Sequence, residues 1–290
     1  MKKTLILIDT FGLVFRFFFA LPPLSTKDGR VVNVVFGLAN LLLKIRKEQH
    51  PDYLAAAFDL PAPTFRDKLY DQYKIHRPTP PNDLISQIPL VRKLLEIFRI
   101  PILSAEGFEA DDVLGSVTEK FLSEPNLIQI IFSGDKDLLQ LIKDDKVLVK
   151  FLKKGISDSD LYNESSVVSH LGVAPKAIPD LKGLLGDSSD NLPGVKGIGD
   201  KTAVPLILKY GSLEKVYENL WEIPEKISKK LEVGKESAFI TKELATIRKD
   251  VPLSLSLENL KNYPLDKAAL GTFFHELDFI SLENKLSFTD

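Results

Sequence analysis

Cysteine is absent from the 290-residue chain, which therefore has neither disulfide bonds nor thiolate ligands for a metal ion. The four histidines lie far apart in sequence, without HxH or HxxxH spacing; they are His50, His76, His170 and His275. A zinc site built from cysteine and histidine is thus not expected. The lack of cysteine also fits a reducing compartment, and we expect a cytoplasmic protein.

Long apolar runs are also missing, since no segment reaches the ~20 residues of a membrane-spanning helix. The start, MKKTLILID, carries two lysines as a signal peptide does, but its apolar run ends at Asp9, short of the ~7 to 15 residues required. We therefore expect no membrane association. A strongly basic composition is lacking as well: the formal net charge is −2, so contact with nucleic acid would have to use local basic patches.

Short apolar runs alternate with segments of helical spacing, such as residues 36–45 and 90–98, which predicts an α/β fold with a largely parallel sheet. The runs are TLILI (4–8), YLAAAF (53–58), IPILS (100–104), LIQIIF (127–132) and KVLVKF (146–151). Near residue 175 the pattern changes to short helices separated by Gly and Pro. We expect a sheet-containing core over residues 1–175 and a mainly helical region over residues 176–290.

Three of the predicted strands are followed by an acidic residue. Asp9 and Asp59 come directly after their strands, and Asp135 follows its strand after two intervening residues. Ligands of such sheets bind at the carboxyl ends of the strands, so these side chains are expected to meet in one crevice. An aspartate in a turn after a strand can also serve local hydrogen bonding, and for each residue alone that explanation is the better one.

The stretch FEADDV adds Glu109, Asp111 and Asp112 at the start of a predicted helix. Acids in a first helical turn interact favourably with the helix dipole, by ~0.3 to 1 kcal/mol each. For this stretch taken alone, interaction with the helix dipole is a better explanation of the acids than a ligand-binding site. At ~100° per residue, Glu109 and Asp112 share a face unless Glu109 precedes the first turn and points inward. In either case two of the three acids can line the crevice.

Two further stretches, SGDKDL and GDSSDN, complete a set of nine candidate metal ligands: Asp9, Asp59, Glu109, Asp111, Asp112, Asp135, Asp137, Asp187 and Asp190. So many carboxylates in one crevice repel one another unless divalent cations neutralise them. Oxygen ligands without His or Cys indicate Mg²⁺ or Mn²⁺. Two such ions ~4 Å apart promote in-line attack on phosphorus, which points to phosphodiester hydrolysis.

Residues 65–83, FRDKLYDQYKIHRPTPPND, interleave cations with aromatic side chains: Arg66, Lys68, Lys74, Arg77, Tyr70 and Tyr73. Cations contact phosphates and aromatic rings stack on unpaired bases, so the segment is a candidate platform for single strands. A solvated loop anchored by its tyrosines is an equally good interpretation. The prolines at 78, 80 and 81 argue against a long helix through the end of the segment.

The segment LPGVKGIGDKTA, residues 192–203, places Gly194, Gly197 and Gly199 between two helical patterns. Its GxxGxG order and the lack of a preceding strand exclude a dinucleotide-binding fingerprint. A short hairpin between helices presents N–H groups to a phosphate backbone, helped here by Lys196 and Lys201, and we favour duplex DNA binding over a simple tight turn.

Six stretches resemble, in order and spacing, the 5′ nuclease domain of bacterial DNA polymerase I, of the flap endonuclease family: IDTFGLVFRFFFALPPL, AFDLPAPTFRDKLYDQYKIHRP, FEADDVLGS, SGDKDLLQLI, GDSSDNLPGVKGIGDKTA and KELATIRKDVPL. The resemblance covers nearly the whole chain. It implies a PIN-like core, a helical arch around residues 65–90 and a helix-hairpin-helix element. It also implies a Mg²⁺-dependent nuclease that cuts 5′ flaps and removes 5′-terminal nucleotides during RNA primer removal and DNA repair.

The resemblance also implies roles for individual residues. All nine acids match metal-site acids, directly or through water, with Asp135 counted as catalytic. Tyr73, Lys74 and Arg77 match the arch, where Lys74 and Arg77 steady the scissile phosphate. Residues 194–202, ending at Thr202, match the duplex-binding hairpin, which typically holds a monovalent cation such as K⁺.

Departures from the family pattern are Thr10 and Phe11 after Asp9, and Ile75 in the arch; none of them removes a ligand. We expect a monomeric, nucleoid-associated bacterial protein with a polymerase domain in the same or another chain.

Two other functions remain open from the residues. A PIN-type ribonuclease also uses strand-end acids for Mg²⁺, but it does not account for the glycine hairpin or for the basic and aromatic segment. A non-catalytic module that binds DNA junctions is the second alternative. Against it, uncompensated acids beside DNA would only repel phosphate.

Overall fold

The computed structural model describes residues 2–154 and 158–286. The predicted second region extends to residues 287–290, which lie outside the described residues. The strands are β1 (Lys3–Asp9), β2 (Tyr53–Ala57), β3 (Ile102–Leu103), β4 (Leu127–Ser133), β5 (Val147–Lys154) and β6 (Asp158–Tyr162).

The helices are α1 (Thr10–Ala20), α2 (Asn33–Gln49), α3 (Phe65–Leu69), α4 (Asn82–Ile85), α5 (Ile88–Ile97), α6 (Ala110–Lys120), α7 (Glu164–Leu171), α8 (Ile178–Leu185), α9 (Asp200–Tyr210), α10 (Leu213–Glu218), α11 (Glu225–Val233), α12 (Lys235–Ala245), α13 (Lys267–Glu276) and α14 (Ile280–Leu286). Short 3₁₀ turns occupy Asp137–Leu141, Pro175–Ala177, Leu220–Glu222 and Leu257–Leu260.

The six strands form one sheet in the order β3-β2-β1-β4-β5-β6. Every neighbouring pair is parallel except β5 and β6. The predicted α/β fold with a largely parallel sheet is confirmed, and all five expected strands are present. The chain leaves β1 toward β2 on one side, whereas β4 lies on the other side. The crevice outside the carboxyl ends of β1 and β4 is therefore the expected ligand site of this topology.

Alternate residues of each strand point to opposite faces of the sheet, and helices cover both faces. Leu5 and Leu7 of β1 pack with α6 and helices of the second region, whereas Ile6 and Ile8 pack with α1, α2 and α5. The four side chains are fully buried. This explains why β1 is a continuous apolar run that ends abruptly at an acid.

Helices α13 and α14 lie on the opposite face of the sheet from the other helices of the predicted helical region. Phe273, Phe274 and Phe279 of the α13–α14 segment belong to the core on the α2 side of the sheet. The rings of Phe36 and Phe279 lie 5.3 Å apart, centroid to centroid, in an edge-to-face arrangement. Helices α8 to α12 pack on the opposite side. The chain after residue 175 thus covers both faces of the sheet.

Residues 186–199 connect α8 to α9 and contain the predicted hairpin, in which two stretches of main chain cross at Gly186 and Gly194. Gly194 has φ 59°, and a Cβ built on it would lie 2.2 Å from the main-chain N of Gly186. The Gly194 N–H also donates a hydrogen bond to Thr241 Oγ1 of α12, at 3.2 Å. Only glycine combines this left-handed conformation with the close approach.

Gly194→Ala is expected to lower the free energy of unfolding by roughly 2–4 kcal/mol, because the new methyl group meets main-chain atoms that cannot move aside. Urea unfolding followed by circular dichroism measures the loss. Gly199→Ala is the matched control: this glycine has φ −123° and open space where a Cβ would lie, so its effect should stay within about 1 kcal/mol. Equal losses in both variants would contradict the role assigned to the crossing.

Candidate metal and nucleic-acid site

Asp9 lies where β1 ends and α1 begins. Its Oδ1 accepts the Gly12 N–H at 3.0 Å and its Oδ2 accepts the Ser133 hydroxyl at 2.5 Å. A Cβ at Gly12 would lie 2.0 Å from Asp9 Oδ2, so a larger residue there would displace the carboxylate from this position. Burial, opposed by the Ser133 hydrogen bond and reinforced by the charge of Asp135, raises the pKa of Asp9 to about 7. The sheet therefore holds a carboxylate at the crevice at a cost in solvation.

Asp59 follows β2 and lies against the N-terminus of α6, where its Oδ1 accepts the Ala110 N–H at 2.8 Å. Burial raises its pKa, with a further contribution from the nearby Glu109. Glu109 is the N-cap residue of α6, so it precedes the first turn and faces the crevice together with Asp111. This is the inward arrangement considered for FEADDV.

The loop after β4 brings Asp135 to the same crevice. Its N–H donates to Ser133 Oγ at 2.8 Å, and its own Oδ1 accepts the Asp137 N–H at 2.8 Å. Ser133 thus connects Asp9 on β1 with the loop after β4, although no sequence pattern singles out this serine. Short-range hydrogen bonds thus fix the loop that carries Asp135 and Asp137.

Five of the predicted ligands line one pocket of about 370 Å³, and we call them the first acid group: Asp9, Asp59, Glu109, Asp111 and Asp135. Burial, together with the charges of Asp135, Asp9 and Glu109, raises the pKa of Asp111 well above its ordinary value. Burial is thus the main cause of the raised pKa values of Asp9, Asp59 and Asp111, and neighbouring carboxylates raise them further. A divalent cation would relieve this repulsion.

Three other predicted ligands form the second acid group: Asp137, Asp187 and Asp190. One carboxylate oxygen from each lies within 4.8 Å of the others. Asp187 and Leu192 exchange two main-chain hydrogen bonds of 2.8 Å, which closes a tight hairpin and fixes the positions of Asp187 and Asp190. Asp135 lies beside this group, since its Oδ1 accepts the Asp137 N–H.

Lys182 of α8, which the sequence did not indicate, lies between two members of the second acid group. Its Nζ forms ion pairs with Asp137 and, at 2.5 Å, with Asp187. Burial alone would raise the pKa of Asp187, but the Lys182 charge and hydrogen bonds lower it to about 2. For Asp137, burial and the Asp135 charge outweigh Lys182, and its pKa rises to about 6. No motif marks such a lysine, because its role follows from where α8 packs.

The ninth predicted ligand, Asp112, does not face the crevice. Both of its oxygens are held by Arg66, at 2.6 and 2.9 Å, and they also accept the Arg248 and Glu109 N–H groups. Asp112 is fully buried and Arg66 is 2% exposed. The prediction of Asp112 as a metal ligand and that of Arg66 as a DNA contact are both wrong, because the two residues form a buried bidentate ion pair.

The segment expected to form the arch consists of α3, a series of turns over residues 71–76 and an irregular stretch up to α4. Tyr73 is 7% exposed, and its hydroxyl lies 3.3 Å from Glu109 Oε2 and 3.2 Å from Asp190 Oδ2. A buried ring cannot stack on a base, so the predicted contact of Tyr73 with DNA is wrong. The tyrosine instead connects the two acid groups.

Lys74 and Arg77 reach the crevice from this segment. Lys74 Nζ lies 2.7 Å from Glu109 Oε1, and Arg77 Nη2 lies 2.6 Å from Asp190 Oδ1. The segment is docked on the hairpin that carries the second acid group, since the Lys74 N–H donates to the Asp190 carbonyl at 3.0 Å. The Lys74 and Arg77 side chains both line the pocket of the first acid group.

In the hairpin, Lys196, Gly197, Gly199 and Lys201 are exposed and Thr202 is half-buried. These residues are available for a phosphate backbone. Gly194, in contrast, is buried in the main-chain crossing, so the predicted DNA contact for that glycine is wrong. Its conformation shapes the hairpin from beneath.

A larger cavity of about 1070 Å³ opens on the other side of Asp135. It is lined by residues of the second acid group, by Lys182, and by the first residue of α9, Asp200. The cavity therefore extends from the acids to the hairpin helix, and Asp135 and Arg77 line both it and the smaller pocket. A polymeric ligand bound along it would contact both the acids and the hairpin region.

Residues 4–268 match two adjoining family models. One, described as "5′-3′ exonuclease, N-terminal resolvase-like domain", matches residues 4–172, and the other, "5′-3′ exonuclease, C-terminal SAM fold", matches residues 173–268. The chain is 41% identical over 288 residues to DNA polymerase I of Caldicellulosiruptor bescii, covering 99% of this chain and 34% of that protein. It is 38% identical over 281 residues to the 5′-3′ exonuclease of Aquifex aeolicus, covering 97% and 94%.

Solved structures with the same fold include the T5 D15 protein co-crystallised with metal ions, with a TM-score of 0.69, 20% identity and coverage of 84% of this chain and 89% of that one. The catalytic core of Rad2 in complex with DNA substrate has a TM-score of 0.62 and 17% identity, covering 95% and 88%. Among the described residues, no helix has the length and apolar character that a membrane span requires.

The T5 D15 and Rad2 structures thus share the overall fold of this chain. The chain belongs to the 5′-3′ exonuclease family. It spans about a third of the length of the curated polymerase relatives that it matches.

Arg66→Ala is expected to lower the free energy of unfolding by about 3–5 kcal/mol, because it leaves Asp112 buried without a partner. Urea or thermal unfolding measures the effect. Lys68→Ala, on the exposed side of the same helix, is the control and should change stability by less than about 0.5 kcal/mol. Normal stability of Arg66→Ala combined with weakened DNA binding would restore the DNA-contact interpretation that burial argues against.

Proposed function

We propose that the protein is a structure-specific 5′ nuclease that hydrolyses DNA phosphodiesters with divalent cations, as a 5′-3′ exonuclease and 5′-flap endonuclease. The observation that carries this proposal is the first acid group. Within the described part of the chain, Asp9, Asp59, Asp111 and Asp135 form no ion pair with Lys or Arg, although they share one pocket. Such a pocket is stable only if cations enter it or its acids take up protons.

The donor set suits Mg²⁺ or Mn²⁺, because it offers carboxylate oxygens and no nitrogen or sulfur. The first acid group would hold one ion, and Asp135 with the second acid group would hold another. Two such ions, when bound, would supply activation of a water molecule for in-line attack on phosphorus and stabilisation of the leaving oxygen. The raised pKa values of Asp9 and Asp111 would fall on metal binding, because the ion favours the ionised carboxylates.

Lys74 and Arg77 would position the scissile phosphate. In the protein alone each is paired with an acid, Glu109 or Asp190. A phosphate offers a competing anionic partner at the same place, and a guanidinium can bind it through two parallel hydrogen bonds. Metal ions bound to the acids would neutralise Glu109 and Asp190, and Lys74 and Arg77 would then be free to pair with the substrate phosphate.

The hairpin would bind the duplex beside the cut. Its exposed residues suit contact with phosphates irrespective of base sequence: Gly197 and Gly199 leave the main chain uncovered, and Lys196 and Lys201 carry positive charge. Free main-chain carbonyls of this hairpin could also hold K⁺, as proposed from the resemblance. The Gly197 carbonyl already accepts a hydrogen bond from Lys230 Nζ at 2.8 Å, so a bound ion would need other carbonyls or displacement of that lysine.

The relatives support a role with DNA. Solved structures of the T5 enzyme are described with zinc ions and with DNA plus metal ions, and the Rad2 core is described with DNA substrate. The polymerase relatives carry this region within a longer chain. We therefore propose DNA with a 5′ flap or a 5′ end at a duplex junction as substrate, and RNA primer removal and repair as the process. We also propose that the protein is a monomer, that it associates with the nucleoid and that it works with a polymerase domain.

Two alternatives make different predictions. A PIN-type ribonuclease would prefer single-stranded RNA, and a non-catalytic module would bind junctions without cutting them. The protein is incubated with labelled 5′-flap DNA, single-stranded RNA and blunt duplex DNA, with Mg²⁺ and with EDTA. The proposal predicts Mg²⁺-dependent cutting of the flap near its junction. Binding without cutting would favour the non-catalytic module, and preferred cutting of RNA would favour the ribonuclease.

Asp135→Ala is expected to slow flap cleavage by on the order of 100-fold or more, because Asp135 is the acid that borders both pockets. Flap binding, measured by fluorescence anisotropy with Ca²⁺ in place of Mg²⁺, should change less than about threefold. Asp145→Ala removes an exposed acid outside both acid groups and should cleave at the wild-type rate. Wild-type cleavage by Asp135→Ala would refute the site assignment.

A further inference from the structure

The two acid groups differ in how their charge is balanced. In the first acid group, Glu109 is the one member with a cationic partner among the described residues. In the second acid group every member has one: Lys182 serves Asp137 and Asp187, and Arg77 serves Asp190. The protein therefore balances every member of the second acid group with its own cations, whereas four of the five members of the first acid group have no ion-pair partner among the described residues.

Lys182 occupies a position that a metal ion would need. Its Nζ contacts the Oδ1 of Asp137 and the Oδ2 of Asp187, and ligand oxygens of these two acids lie within 4.8 Å of each other and of Asp190. The side chain of Lys182 is 18% exposed, so its ammonium is held among the acids rather than in bulk water. An ammonium and a divalent cation cannot occupy this space together without strong repulsion.

We propose that Lys182 is a built-in counter-ion of the second acid group that a divalent cation must displace. This inference rests on the proposed function, since it assumes that these acids bind a metal ion. In the metal-free protein the ammonium keeps Asp137 and Asp187 together. When the ion enters, the ammonium moves away from the carboxylates into the adjoining cavity of about 1070 Å³, which Lys182 itself lines.

Two consequences follow for metal binding. The first acid group, with little internal compensation, binds its ion tightly. The second acid group binds its ion weakly, because each binding event must break the ion pairs of Lys182. Lys182 is thus a positioning residue that sets the metal concentration at which the second ion enters.

A purely structural salt bridge is the competing explanation, and the fold contains a matched example of one. Lys242 of α12 also joins two acids, Asp180 at 2.7 Å and Glu214 at 2.6 Å, and its side chain is 23% exposed. These acids belong to neither acid group. Removal of Lys242 should therefore cost stability in the same way with and without metal ions, whereas removal of Lys182 should not.

The experiment compares wild-type protein, Lys182→Met and Lys242→Met without DNA. Thermal unfolding is recorded in EDTA and in saturating Mn²⁺, and Mn²⁺ binding is measured by isothermal titration calorimetry. In EDTA, both variants should melt at least about 3 °C below wild type. In Mn²⁺, the Lys182→Met deficit should shrink by more than half, because the ion replaces the missing charge, and the Lys242→Met deficit should stay unchanged.

The calorimetric titration should show a tight and a weak Mn²⁺ site in wild type. In Lys182→Met, the weak site should bind on the order of fivefold tighter or more, while Lys242→Met should match wild type. Equal weak-site affinities in all three proteins, or a Lys182→Met deficit of the same size in Mn²⁺ and EDTA, would overturn the inference alone. A Lys182→Met protein that stays unfolded in Mn²⁺ would also contradict it. Absence of any Mn²⁺ binding by wild type would overturn the proposed function as well.

Discussion

Mutual repulsion among carboxylates at one edge of the sheet is the constraint on which the site depends. Eight of the nine predicted ligands lie in the two acid groups, which meet at Asp135. The protein balances this charge in two ways. Burial raises the pKa values of Asp9 and Asp111, and Lys182 and Arg77 pair with the second acid group. Divalent cations would neutralise the remaining negative charge, and the proposed phosphodiester hydrolysis uses these ions.

The ion pair of Arg66 and Asp112 supports this edge from behind. Asp112 accepts hydrogen bonds from Arg66 of α3, from the Glu109 N–H at the start of α6 and from the Arg248 N–H. Arg66 also donates to the carbonyls of Leu244 and Thr246. Three separate segments are thus fixed by one buried pair, and Glu109 and Asp111 are held facing the crevice. Asp112, which was predicted to be a metal ligand, instead holds other acids in place.

Much of the fold and of the acidic site could be predicted from sequence because both depend on local pattern. A buried parallel strand is a continuous apolar run, and Asp9 and Asp59 directly follow such runs, so their common edge is predictable. The edge strand β6 was not predicted, because its sequence, DSDLY, is mostly polar and only its last residue is buried. The direction of a side chain at a helix start is also not fixed by spacing alone, which is why Asp112 was assigned to the metal site.

Tertiary partners were the least predictable part. Lys182 and Arg66 are ordinary cations in the sequence, and their roles depend on acids that lie 5 and 45 residues away for Lys182 and 46 residues away for Arg66. Tyr73 and Gly194 have residue types that suit nucleic-acid contact, yet packing buries both. Burial decides whether a cation, an aromatic ring or a glycine meets a ligand, and periodicity does not reveal burial at such irregular positions.

The most direct test of the metal site is a crystal structure of the protein soaked in Mn²⁺, with anomalous scattering used to locate the ions. We expect an anomalous peak inside the pocket bounded by Asp9, Asp59, Asp111 and Asp135, and a second, weaker peak at the second acid group. Anomalous peaks confined to other surfaces, with this pocket free of Mn²⁺ at saturating concentration, would contradict the claim that its uncompensated acids exist to hold divalent cations.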